Sequence, residues 1–104
     1  MIRIRIVPDY DSFAIYNRLE DGDDNIRAAD LDIAPVLAQA IDRWAEVFGE
    51  TLDRDEPQAS GFKTALEEEM HAAWGQSLAH QLAGALAEPV EYFDQISLKY
   101  IVIK

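Results

Sequence analysis

Cysteine is absent from the 104 residues, which removes disulfides, thiolate nucleophiles and thiolate metal sites together. Cations are scarce as well. Nine lysines and arginines stand against 20 aspartates and glutamates, a net charge of −11 with a pI near 4.3. Phosphate recognition draws its affinity from Lys and Arg, so direct nucleic-acid binding is not expected. No apolar run approaches the ~20 residues of a membrane span, and the first residues carry no long apolar core of a signal peptide. The expectation is a soluble cytoplasmic protein with no membrane association. A chain of this size buries about 65% of its unfolded surface, enough for one core and not two, so residues 1–104 are read as a single domain.

What is present is patterned. Met1 to Val7 alternates Ile2, Ile4 and Ile6 with Arg3 and Arg5, the period of two that defines a strand with one apolar face. Pro8 ends it, and Phe13 to Asn17 is read as a second strand across a turn at Asp9–Ser12. Glu20 to Asp32 has no apolar period and holds six carboxylates, which fits a solvated loop. Pro35 opens a helix expected to run to Thr51, with Val36, Leu37, Ala40, Ile41, Trp44, Phe48 and Leu52 recurring at three- and four-residue spacing. A breaker-rich connection follows. The second helix is expected over Lys63 to Ala87, its stripe formed by Leu66, Met70, Trp74, Leu78, Leu82 and Leu86 every four residues, with Gly75 and Gly84 allowing close approach of the first helix. Val90–Phe93 and Ile96–Ile103 read as final strands, Tyr100–Ile103 lying inside the sheet and covered at least partly on both sides. The fold class is therefore α+β in the order β-β-α-α-β-β, an antiparallel or mixed sheet with a helical hairpin on one face.

Catalytic and metal chemistry find little support. Asp21, Asp23, Asn25 and Asp32 occupy positions 1, 3, 5 and 12 of a calcium loop, yet the turn position that needs glycine holds Ile26. His71 and His80 are nine residues apart on one helix, about 180° around it, so they cannot share a metal. His71 is read with Glu67 as an ordinary surface pair. The serines lack a Gly-x-Ser-x-Gly setting, Asp11-Ser12-Phe13 opens no helix, and no Gly-rich phosphate loop occurs. Neither a catalytic residue, a metal site nor a cofactor is expected.

The charge is uneven. Pro8 to Asp32 carries eight carboxylates against Arg18 and Arg27, and Asp42 to Glu56 adds six against Arg43 and Arg54, with Asp42, Glu46 and Glu50 on one helix face. Self-repulsion of such a surface favours a partner that relieves it. The expected partner-binding residues are Glu20, Asp21, Asp23, Asp24, Asp53, Asp55 and Glu56, with Tyr10 and Tyr16 as aromatic anchors ringed by acid.

In length, lack of cysteine, α+β order and acid concentrated in Asp9–Asp32 and Asp53–Glu56, the chain resembles the immunity proteins of bacterial contact-dependent growth inhibition and related polymorphic-toxin systems. Pro8-Asp9-Tyr10-Asp11-Ser12 and Glu91-Tyr92-Phe93 also resemble segments of small acidic bacterial proteins. The resemblance implies a cytosolic, non-enzymatic inhibitor that binds a cognate protein toxin encoded beside it. It implies a nuclease, whose basic substrate groove the acidic surface masks. Two alternatives stand beside it: an acidic DNA mimic or anti-nuclease regulator without a cognate toxin, and a calcium-binding or enzymatic domain.

Overall fold

Ile4 and Ile6 are fully buried while Arg5 between them is only half-buried, so the alternation of the first strand decides which face of the sheet the helices cover. The computed structural model describes residues 2–104. Its order is β1 (Ile4–Ile6), β2 (Ile15–Leu19), β3 (Gly22–Ile26), α1 (Pro35–Gly49), α2 (Ala65–Leu86), β4 (Val90–Asp94) and β5 (Lys99–Ile103), with short 3₁₀ turns at Ala28–Asp30 and Pro57–Ala59. The α+β class and the helical hairpin on the sheet are as the sequence reads. The strand expected over Met1–Val7 is shorter, and Met1 lies outside the described residues.

The sheet runs β3-β2-β1-β4-β5. β1 and β4 pair in parallel at its centre, and every other pairing is antiparallel. A parallel pair cannot be joined by a tight turn; here the connection leaves the hairpins and carries α1 and α2 across one face. Three expectations need correction. Residues 20–32 are not a loop throughout, because Gly22–Ile26 forms β3 against β2, with Arg18 opposite Asp23 and Tyr16 opposite Asn25. The pairing groups of β2 and Gly22 at φ 139° make a strand of a segment whose own side chains carry no apolar period. The second strand is shifted two residues, to Ile15–Leu19. Finally, β5 is an edge strand, and Tyr100 and Val102 are exposed on the face the helices leave open.

The core lies between the covered face and the helices: Ile4, Ile6, Ile15 and Val90 from the strands, Ile41 and Trp44 from α1, and Leu78 and Leu82 from α2. Gly75 explains how closely the helices meet. A Cβ there would sit 2.5 Å from Trp44 Cζ2, so only glycine admits the indole; Gly84 faces open space and serves no such contact. The stripe expected on α2 does not stay buried. Repeating every four residues, it drifts about 40° per step at 100° per residue, so Leu66 lies about 160° from Leu82. Leu78 and Leu82 are buried, Trp74 is half-buried, and Leu66 and Met70 are each 64% exposed. The buried face is instead His71, Ala72, Gly75, Leu78, Ala79, Leu82 and Ala83.

Candidate functional site

The acidic residues separate into two groups. Glu20, Asp21, Asp23 and Asp24 are exposed at the β2–β3 turn and along the edge strand. Asp23 sits 3.7 Å from Arg5, whereas Glu20, Asp21 and Asp24 have no salt-bridge partner among the described residues. The other end of the same ladder, where Ile15 faces Ile26, is four residues or roughly 13 Å away. There the β1–β2 connection meets the segment after α1: Arg54 donates to Asp11 at 2.7 Å, and Asp53, Asp55 and Glu56 follow on an exposed loop that Asp53 organises, its Oδ1 accepting from the amides of Asp55 and Glu56. The predicted carboxylates are thus not one patch.

Tyr10 and Tyr16 both belong to the second end. The Tyr10 ring stacks on Phe48 at 4.7 Å and its hydroxyl lies 2.9 Å from that of Thr51. Tyr16 donates to Asp9 Oδ2 at 3.0 Å, and burial pushes its phenol pKa up. Both rings therefore stand half-buried and held in place, a condition in which little side-chain freedom is lost on contact.

Two hollows flank this end. The smaller, about 510 Å³, has Asp9 and Asp11 on one side and Asp42 and Glu46 of α1 on the other, with Phe13 and Arg27 between them. Burial, then Glu46, pushes the Asp42 carboxyl up, and Arg27 opposes both. The Arg54 guanidinium beside Asp11 holds that carboxyl down, through its hydrogen bond first and its charge second. Arg43 bridges Glu46 and Glu50, each at 3.2 Å, and the helix face divides between the hollows, Asp42 and Glu46 lining the smaller and Glu50 the larger.

That larger groove, about 1160 Å³, runs between the end of α1, the connection after it and the first half of α2. Val47, Leu52, Phe62, Met70 and Trp74 form its apolar wall, and His71 lies among them. His71 is not the surface residue its neighbour Glu67 implies: it is 3% exposed, stacked on Trp44 at 4.7 Å and surrounded by Phe48, Phe62 and Trp74. A reciprocal pair of bonds locks the helices here, Trp44 Nε1–H to the His71 carbonyl at 3.0 Å and His71 Nε2 to the Trp44 carbonyl at 2.9 Å. A carbonyl only accepts, so Nε2 carries the proton and Nδ1 is left a buried acceptor without a partner. Sequence reasoning missed this groove, although the drift of Leu66 and Met70 off the core face was its signal.

The spacing that suggested calcium is not a loop in space. Asp23 lies on β3, and the Asn25 amide is spent on the backbone of Phe13 and Ile15. No group of three or more metal-ligating side chains converges among the described residues, and no helix is long and apolar enough to cross a membrane.

The arrangement comprises exposed carboxylates, tyrosines held in place by their neighbours and an open groove. No curated protein matches the chain. A family model described as Serratia CdiI immunity protein-like matches residues 2–95, from β1 through β4, and so takes in both acidic ends, both hollows and the helical hairpin. On that match the chain belongs to the Serratia CdiI immunity protein-like family, and its role is toxin-neutralising immunity.

Proposed function

We propose that the toxin this chain neutralises is a nuclease, and that the chain binds it without catalysis or cofactor in the bacterial cytoplasm, covering the basic groove that would hold nucleic acid. Glu20, Asp21, Asp23 and Asp24 form one contact and Asp53, Asp55 and Glu56 the other, with Tyr10 and Tyr16 as anchors beside the second. One observation carries the reading. Five of the six arginines, Arg3, Arg5, Arg18, Arg43 and Arg54, are engaged in internal ion pairs among the described residues, so the net charge of −11 is expressed outward by carboxylates without cation partners. Such a surface accelerates encounter with a basic groove and rejects other acidic proteins.

The reading is tested with the toxin domain encoded beside this chain. Its cleavage of DNA or RNA should stop on adding the chain, and association should slow as salt shortens the Debye length from ~10 Å at 0.1 M. Asp21→Lys with Asp24→Lys should slow association at least about tenfold, whereas Glu68→Lys with Glu69→Lys, the same charge change on α2, should not. Equal slowing by both pairs would reduce the claim to net charge. A toxin that cleaves no nucleic acid would remove the nuclease. Asp23 is left out of the reversal because its carboxylate faces Arg5, and a lysine there would disturb the sheet.

A further inference from the structure

The acidic surface accounts for attraction but not for the groove on the helical hairpin. Its wall is apolar, and Met70 and Leu66 beside it are each 64% exposed, a contiguous apolar surface of the kind that marks an interaction site. The polar groups around it are mostly acceptors. Asp53 and Glu67 line the groove without a salt-bridge partner, Arg54 is neutralised by Asp11, and Lys63 is the one lining cation left unpaired among the described residues. Deeper in, His71 is buried with Nδ1 as an acceptor that no donor satisfies.

We infer that this groove receives a lysine or arginine side chain carried on an apolar segment of the cognate toxin, its alkyl stem against Met70 and Trp74 and its charge toward Asp53 and Glu67. This rests on the toxin-binding reading above and adds an anchor to it. Long cationic side chains lay their stems on apolar surface while keeping the head in a polar rim, and an apolar centre with a charged rim is the anatomy of a protein interface. A second copy of this chain does not suit the site, because it would bring 11 further net negative charges to a rim that already holds free carboxylates.

The full chain titrated with its toxin domain, with Kd and the thermal midpoint read for each variant, tests this. Met70→Lys places the chain's own cation in the groove; it should raise Kd at least about tenfold, as loss of a central anchor does. Met70→Leu, which keeps the apolar wall, and Val36→Lys, which adds the same charge at a 73% exposed site on α1, should each stay within about twofold. Glu67→Lys should weaken binding by removing one rim carboxylate. The thermal midpoints should match, since each changed side chain is largely exposed. Toxin bound by Met70→Lys as tightly as by the unaltered chain would overturn the anchor and leave toxin binding standing. A Val36→Lys loss equal to that of Met70→Lys would also overturn it, by charge alone. An unaltered chain that neither binds nor protects would remove both readings together.

Discussion

The two faces of the sheet are built from different chemistry. Beneath the helices, Ile4, Ile6, Ile15 and Val90 meet Trp44 and Leu82 with no charge among them. On the open face Arg5 and Arg18 both reach Glu91 Oε1, at 3.3 and 3.0 Å, Arg5 also lies over the Tyr100 ring at 4.2 Å, and Phe93 meets Tyr100 edge-on. Each strand contributes to both faces by alternation, so one-residue slippage would exchange them. The covered face holds the fold by exclusion of water and close packing; the open face holds the register by charge and stays accessible.

The sharpest way to break the covered face is a single methyl group. Gly75→Ala would place a Cβ 2.5 Å from the Trp44 ring, and the indole cannot retreat because its N–H is bonded to the His71 carbonyl and its ring is stacked on the imidazole. The expected loss is near the top of the ~1–3 kcal/mol range of overpacked cores, read by denaturant unfolding. Gly84→Ala, with open space around its Cβ, is the matched control and should stabilise the helix slightly.

Glu91→Ala probes the open face, with a smaller effect. Glu91 is 14% exposed and joins β4 to both β1 and β2 through Arg5 and Arg18. Its removal leaves two partly buried guanidiniums without their shared acceptor, at a cost of about 1–2 kcal/mol, below the 3–5 of a fully buried pair. Raised salt should diminish that difference and leave the Gly75→Ala loss unchanged. If both variants lost the same stability with the same salt dependence, the contrast between the faces would be wrong.

How much of this was legible follows the same division. Period-two and helical patterns depend on neighbours in sequence, so β1, both helices and the α+β class could be read directly, as could Gly75 as a site of close approach. β3 could not, because residues 22–26, Gly-Asp-Asp-Asn-Ile, are held by β2 and not by their own propensity. β5 was misjudged for a related reason: Tyr100 and Val102 look buried when one cannot know that the strand closes the sheet. The acidic residues were found by composition alone, but their separation into two ends is a matter of register. His71 shows the limit most plainly. Its near neighbours Glu67 and Glu68 imply a surface, while Trp44, 27 residues away, decides that it is buried.

That burial gives the smallest of the expected effects and extends the comparison to pH. Desolvation holds the His71 pKa below its ordinary 6.5, with the Trp44 carbonyl opposing, and aromatic rings with no carboxylate among them surround the imidazole. A histidine with a depressed folded-state pKa is bound to a proton more readily when unfolded. Stability is therefore complete above pH 6.5 and falls as pH drops below it, until the folded pKa is reached. One pH unit below 6.5 the loss from a single group is at most about 1.4 kcal/mol, so the midpoint should decline modestly between pH 6.5 and 5.5, above the range where carboxylates take up protons. His71→Gln should be less stable overall, because the stack on Trp44 is lost, yet flat across that interval, and His80→Gln should keep the decline. A decline that survives in His71→Gln would place the titrating group elsewhere and detach the acid response from the Trp44–His71 contact.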